Sequence, residues 1–142
     1  MELVVTISLG FAVGVAAAAS YATAMQPGHY EIQIDTGMPN LDKAQWGRTV
    51  VKQCLTRTDI ESGQAYRGPR GDQYADCKLM DYKSLNGEVS YHIVCPGANA
   101  PSGYGAFTYT DTTFQGSVKM QMGGKNMTMI QEYTAKRVAG CE

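Results

Sequence analysis

The sequence predicts an all-β protein, in which about seven strands form a single antiparallel meander in a strongly curved sheet or partly closed barrel, preceded by an apolar N-terminal signal helix. Apolar and polar residues alternate with a period of two in several short segments, as on a strand with one dry face and one wet face. Turn-forming segments separate them, and the chain contains sixteen glycines and nine tyrosines. This composition favours strands and tight turns over long helices.

The length and charge of the chain limit its organisation and its partners. With 142 residues, of which 44% are apolar and 18% charged, the chain suits one globular domain with a modest core. The formal net charge is -1. No overall electric field therefore favours nucleic acid or anionic lipid, and we expect no nucleic-acid partner.

The N-terminal segment indicates export. Residues 3–24 carry no charged side chain and end in Ala22-Thr23-Ala24, a small-x-small pattern that signal peptidases accept. We therefore interpret residues 1–24 as a signal peptide and residues 25–142 as a disulfide-bonded β-domain. The usual Lys or Arg before the apolar run is missing, and about 20 apolar residues also suffice for a membrane anchor, which is the alternative. The Ala-rich, weakly hydrophobic second half of the segment favours the signal peptide.

Residues 76–96 predict a central hairpin. Asn86 and Gly87 lie between two runs of β-forming residues, and both tolerate the positive φ that hairpin turns require. If Gly87 occupies the left-handed position of a three-residue loop, Ser84 lies opposite Glu88. This register determines which residues face each other at the open end of the hairpin.

The four cysteines are predicted to form two disulfides, as is usual in an exported chain. The three-residue loop places Cys77 opposite Cys95, and an antiparallel pair can bring the two Cβ atoms close to bridging distance. Cys54 is then left to pair with Cys141. A two-residue loop would instead set Cys95 opposite Lys78 and would favour the pairs Cys54–Cys77 and Cys95–Cys141.

The other strands follow from alternation and turn signals. They are predicted around residues 30–34, 48–55, 104–110, 114–122 and 127–138. Short connections make sequential strands antiparallel neighbours. A sheet of this size must also protect its edges, which is the reason to expect strong curvature or partial closure.

The connection between the second strand and the hairpin is predicted to be irregular. Thr58-Asp59-Ile60-Glu61 matches a capping box and predicts one helical turn that ends at Gly63. We expect this turn to be too short to pack against the sheet. Residues 64–75 contain almost no aliphatic side chains and are predicted to form an exposed loop.

Candidate catalytic residues are few. The two histidines, His29 and His92, lie on the polar sides of their strands and far apart in sequence, whereas nucleophilic catalysis needs a base within reach of a nucleophile. No Gly-x-Ser-x-Gly, His-Glu-x-x-His or Walker motif is present. We therefore predict no catalytic residue, no cofactor and no enzyme activity.

Four methionines form the one candidate metal site. If the turn after Gly123 pairs Met122 with Met127, Met120 faces Met129, and four thioethers lie on the same face of one hairpin. Thioethers bind Cu(I), but methionine at period two is also an ordinary core residue. No His, Cys or Trp lies nearby in sequence to complete a site, so core packing is preferred and Cu(I) binding is the remote alternative.

The sequence resembles the bacterial exported family called domain of unknown function 3617. The resemblance rests on the apolar start and on elements in this order along the chain: Pro27-Gly28, Tyr30-Glu31, Cys54-Leu55-Thr56, Cys77, Cys95, Phe114-x-Gly116, Met127-Thr128 and Gly140-Cys141. The family usually carries Trp where Tyr30 stands and a larger apolar residue where Ala139 stands. The resemblance implies a periplasmic, disulfide-bonded β-domain of a Gram-negative bacterium, and it transfers no catalytic residue because the family has no agreed activity.

Binding or a structural or accessory role is therefore the expected function, with other envelope proteins among the candidate partners. A first alternative is a carrier of an apolar small molecule, which would need a cavity lined by Tyr91, Ile93, Phe107 and the methionines. A second alternative is a subunit of a larger complex, anchored in the inner membrane and facing the periplasm. This subunit would retain residues 3–24 as a helix.

Overall fold

The computed structural model describes residues 24–67, 76–123 and 127–141. Seven strands form one antiparallel sheet, which confirms the predicted all-β class. They are β1 Gly28–Gly37, β2 Gly47–Leu55, β3 Lys78–Leu85, β4 Glu88–Val94, β5 Ser102–Tyr109, β6 Thr113–Gln121 and β7 Thr128–Ala139. The helical elements within these ranges are α1, Arg57–Glu61, and single 3-10 turns at Lys43–Gln45 and Gln64–Tyr66. The predicted signal helix lies outside the described residues, apart from Ala24.

The strand order is β2-β1-β7-β6-β5-β4-β3. Consecutive strands are neighbours throughout, except that β2 and β3 form the two edges of the sheet. Because β1 also pairs with β7 along most of its length, the first and last strands are neighbours. The sheet is not closed, since β2 and β3 do not pair with each other. In the three described ranges, no helix is long and apolar enough to cross a bilayer.

The β3–β4 hairpin has a two-residue turn, so the predicted three-residue loop is wrong. Asn86 and Gly87 have φ values of 52° and 78°, as both central residues of a type I′ turn must. Leu85, not Ser84, therefore lies opposite Glu88.

A β-bulge in β3 brings the two hairpin cysteines into line. The pairing with β4 shifts by one residue between Met80 and Lys83, where Asp81 has a φ of 53°. Between the bulge and the cysteines, the β3–β4 register is therefore the one predicted from a three-residue loop. Cys77 and Cys95 consequently form a disulfide, with Cα atoms 4.1 Å apart.

The second disulfide joins Cys54 to Cys141, with Cα atoms 5.6 Å apart and a sequence separation of 87. His29 of β1 lies between Cys54 of β2 on one side and Ala139 of β7 on the other. The bridge therefore fastens together the two strands that flank β1. Both disulfides are the pairs that the sequence predicts.

The connection between β2 and β3 packs against the sheet, contrary to expectation. We call residues 56–67 the plug segment. Its helix α1 is capped by Thr56 and not by Thr58: the Thr56 hydroxyl accepts a hydrogen bond from the Asp59 amide at 3.2 Å, and the Asp59 carboxylate accepts one from the Thr56 amide at 3.0 Å. This capping box starts the helix early enough to direct Ile60 into the core, where it is buried.

Tyr66 is the deepest side chain of the plug segment and only 1% exposed. Its ring centroid lies 5.5 Å from that of Phe107 and 5.4 Å from that of Phe114. The Tyr91 hydroxyl donates a hydrogen bond to the Tyr66 carbonyl at 2.6 Å. The predicted exposed loop is thus wrong for residues 64–66, and residues 68–75 lie outside the described part of the chain.

The sheet face beneath the plug segment, which we call the inner face, carries the hydrophobic core. Its strands contribute mainly aromatic and β-branched side chains, among them Tyr30, Ile32, Ile34, Val89, Tyr91, Ile93, Phe107, Phe114 and Tyr133. Gly105 lies under the Tyr91 ring, and a Cβ at this position would overlap that ring. Burial raises the pKa of the Tyr66 and Tyr91 phenols above the ordinary value, so both rings remain neutral in the folded protein.

Candidate functional site

The opposite face of the sheet, which we call the outer face, carries the candidate site. Alternate residues of each strand project there, and strand pairing aligns them in rows across the sheet. In one row Ser90 of β4 lies opposite Ala106 of β5, which lies opposite Ser117 of β6. These three small residues form a low strip across the middle of the sheet.

Larger side chains flank the strip on both sides and turn it into a trough of about 840 Å³. One flanking row contains His92, Tyr104 and Lys119, of which Tyr104 lines the trough, and the other contains Glu88, Thr108 and Gln115, which all line it. The trough therefore runs across β4, β5 and β6 and not along any one of them. Its floor is uncharged, and its walls carry hydroxyl, amide and charged groups.

Charges of opposite sign lie at the two ends of the trough. Lys83 of β3 pairs with Ser90 at one end, and Glu132 of β7 pairs with Ser117 at the other. The Cα atoms of Lys83 and Glu132 are four strand spacings apart, which is about 19 Å. Lys43 binds the Glu132 carboxylate at 2.9 Å, so this end of the trough is partly neutralised.

Tyr104 stands at the wall between this trough and a second depression. The second depression has a volume of about 620 Å³, and its lining includes Met80, His92, Val94, Lys119 and Gln121. Tyr104 is 46% exposed, and its ring centroid lies 5.1 Å from that of the His92 imidazole. Tyr104 therefore presents an aromatic surface to solvent next to the polar strip.

The two histidines are far apart in the structure. His92 is exposed on the outer face of β4, whereas His29 is half-buried on β1, and β7, β6 and β5 lie between them. Within the described ranges no group of three or more His, Cys, Asp or Glu side chains could hold a metal ion. The absence of enzyme activity stays a prediction.

The methionine hairpin has the predicted register. Met120 lies opposite Met129, and the Met122 amide donates to the Met127 carbonyl at 2.8 Å, although residues 124–126 of the turn lie outside the described residues. Met120 is buried with its sulfur above Gly103, Met122 and Met129 are half-buried against the core, and Met127 is exposed. Three of the four thioethers thus contribute to core packing.

We expect this hairpin to bind Cu(I) no more tightly than micromolar. A soft-metal site needs several thioethers free to converge on one ion, and the buried sulfur of Met120 already packs within the core. The measurement is a competition titration against a chromophoric Cu(I) chelator, with a Met120→Leu, Met129→Leu variant as control. Much tighter binding that is lost in this variant would contradict the core-packing interpretation.

In the described part of the chain, side chains fill the place where an apolar carrier would need open space. Tyr91 stacks on Phe107 with a centroid distance of 6.1 Å, and Tyr91, Ile93 and Phe107 are each at most 5% exposed. Tyr66 of the plug segment occupies the space above these rings. The described depressions of 840 and 620 Å³ are both formed by rows of the outer face, so the geometry favours binding outside the sheet.

The trough could not be recognised from the sequence alone. The feature that reveals it is a row of small residues, one on each of three neighbouring strands, that all face outward. This row can be recognised only when the strand register is known. Tyr104 looked like any other strand tyrosine. What distinguishes Tyr104 from the other tyrosines is its exposed position beside the strip of small residues, and this position follows only from the strand pairing.

The fold and the trough together define a disulfide-bonded, seven-stranded β-domain with a solvent-open polar site on one sheet face. The chain belongs to the family described as protein of unknown function (DUF3617), whose model matches residues 25–141. This confirms the resemblance inferred from the order of the motifs and the four cysteines along the chain. Comparisons with curated proteins and with solved structures find no match.

Proposed function

We propose that this protein is an exported, periplasmic β-domain that acts by binding and not by catalysis, and that it binds through the trough on its outer face. The trough is the observation that carries the proposal. Its walls stand on adjacent strands of a sheet whose other face is tightly packed, so the polar groups are held at fixed spacings. A pre-formed row of this kind suits recognition of a ligand from the envelope.

Two disulfides support export, because structural disulfides persist in oxidising compartments. The packing of Met25 supports it independently. Ala24 is exposed, whereas Met25 is only 2% exposed and belongs to the core, and the Gln26 amide donates to the Asp111 carbonyl at 2.7 Å. The family match also begins at residue 25, where the predicted signal peptide ends.

We expect the native protein to begin at Met25. Cleavage after Ala24 would leave the Met25 side chain in the core, so processing and folding are compatible. The measurement is the intact mass and N-terminal sequence of the protein from its native envelope. An Ala22→Asp, Ala24→Asp control should remain uncleaved, because signal peptidases require small residues there. A native N-terminus at Glu2 or Leu3 would instead favour the membrane-anchored subunit.

The spacing of the charged groups supports binding over catalysis. General acid–base catalysis requires a donor and an acceptor within hydrogen-bond reach of the same substrate atoms. Among the charged residues of the lining, Glu132 is paired with Lys43 at 2.9 Å, and its Cα lies about 19 Å from that of Lys83 by strand spacing. Glu88 lies on β4 near the Lys83 end, and the His92 ring is packed beside Tyr104. Such an arrangement suits contacts along an extended ligand better than chemistry at one atom.

The test maps binding onto the two faces of the sheet. The isotope-labelled domain is titrated with separate glycan, protein and lipid fractions of a Gram-negative envelope, and the amide shifts are assigned to strands. We expect shifts in β4, β5 and β6 around the strip, which are lost when Ala106→Trp fills the trough. The matched control, Lys52→Trp, places the same ring on the outer face of β2 and should leave them unchanged. Shifts that are absent, or that persist in Ala106→Trp, would refute the proposed site.

A further inference from the structure

We infer that the ligand of the trough is a linear oligosaccharide that lies across the strands. This inference rests on the proposed function, since it names the class of ligand for the same site. It follows from the direction of the trough, from the chemistry of its lining and from the exposed ring at its wall.

The direction of the trough argues against an extended peptide. Peptides that bind sheets usually add a strand at an exposed edge, where unpaired backbone groups are available. The strip of Ser90, Ala106 and Ser117 instead crosses strands whose backbone groups are already paired with their neighbours. A ligand in the trough is therefore recognised by side chains alone.

The lining of the trough matches the hydroxyl groups of a sugar chain. Ser90, Ser117, Thr108 and Gln115 line it, and hydroxyl and amide side chains both donate and accept hydrogen bonds. Sugar hydroxyls do the same, so either partner can adapt to the other. The floor carries no charge, and its Lys83 and Glu132 ends are separated by about 19 Å, which leaves room for several linked sugars.

The ring of Tyr104 supplies the apolar contact that sugar recognition also needs. One face of a pyranose ring presents C–H groups, which pack against an aromatic surface, and tyrosine combines such a surface with a polar tip. Tyr104 is 46% exposed and is supported by His92 at 5.1 Å. The ring is thus positioned beside the hydroxyl-lined strip before any ligand arrives.

The experiment titrates the labelled domain with three linear tetrasaccharides: chitotetraose, cellotetraose and maltotetraose. We expect at least one of them, at millimolar concentration, to shift amides of β4, β5 and β6 on both sides of Ala106. Tyr104→Ala should weaken this binding about tenfold, which is about 1.4 kcal/mol and near the upper end of what an aromatic contact contributes. Tyr104→Phe should retain it, Ala106→Trp should abolish it, and the matched outer-face control Val50→Ala should leave it unchanged. The shift spectra of all variants also report whether each is folded.

The outcomes separate the ligand class from the site. If no tetrasaccharide shifts these amides but an envelope fraction does so in an Ala106→Trp-sensitive manner, the proposed function stands and the oligosaccharide is refuted. If the active fraction is protein, the ligand is a polypeptide and the inference is equally refuted. Sugar-induced shifts that are indifferent to both Tyr104→Ala and Ala106→Trp would place the sugar elsewhere and overturn it. If no envelope fraction and no sugar shifts these amides, the proposed function is refuted as well.

Discussion

Replacing Cys54 and Cys141 with alanine is expected to lower the free energy of unfolding by about 4–5 kcal/mol. The bridge closes a loop with a sequence separation of 87, and in the chain-entropy model a loop of this length restricts the unfolded chain by that amount. The whole stability of a small domain is about 5–15 kcal/mol. The variant should therefore be at or near the limit of stable folding.

The hairpin bridge provides the comparison. Cys77 and Cys95 are separated by only 18 residues, so the same model assigns their bridge about 3 kcal/mol. Both double alanine variants and the wild-type protein are compared by equilibrium urea unfolding. We expect the Cys54, Cys141 variant to have the lowest midpoint. The opposite order would show that restriction of the unfolded chain is not the main way in which the bridges stabilise the fold. Local packing of the buried Cys77 sulfur would then outweigh the effect of loop length.

The disulfide pairing was predictable although the hairpin loop was not. The two-residue turn shifts the β3–β4 register by one residue, and the bulge around Asp81 shifts it back before the cysteines. Two departures from the predicted geometry therefore cancel at Cys77 and Cys95. The bulge does leave a trace in the sequence, since Leu79 and Tyr82 both pack against the core at a spacing of three, which a regular strand would not allow.

The plug segment was missed because its apolar residues are sparse. Ile60 and Tyr66 lie in a polar stretch without helical or strand periodicity, and a five-residue helix is too short to show an amphipathic pattern. Their burial depends on contacts with β3, β5 and β6, which come together only in the assembled sheet. The strands could be predicted from the local alternation of apolar and polar residues, whereas the packing of the plug segment against the sheet could not.

The candidate site was missed for a different physical reason. Ser90, Ala106 and Ser117 are unremarkable within their own strands, and only the pairing of β4, β5 and β6 places them side by side. The two histidines lie on separate strands of the sheet, and three of the four candidate methionines pack in or against the core. The sequence contained no local signal that a row of small residues would form a trough.

Tyr66→Ala is expected to lower the free energy of unfolding by about 3–5 kcal/mol, as is typical when a large buried aromatic side chain is removed from a core. The Tyr66 ring contacts Phe107 and Phe114 and lies over the middle of the inner face. Phe107 and Phe114 stand on β5 and β6, which pair with a neighbour on each side, so the strands beneath the ring cannot close over the vacated space. A cavity that cannot collapse carries the full penalty of lost contacts.

The measurement is equilibrium urea unfolding of Tyr66→Ala beside Tyr104→Ala, a matched loss of the same side chain from the outer face. Tyr104 is 46% exposed, so its removal should change the stability by about 0.5 kcal/mol or less. Hydrogen exchange adds a second readout: in Tyr66→Ala the amides of α1 should lose protection before those of β5 and β6, because the plug segment loses its anchor while the central strands keep their ladders. Equal stability of the two variants would show that residues 56–67 lie against the sheet without holding the core together.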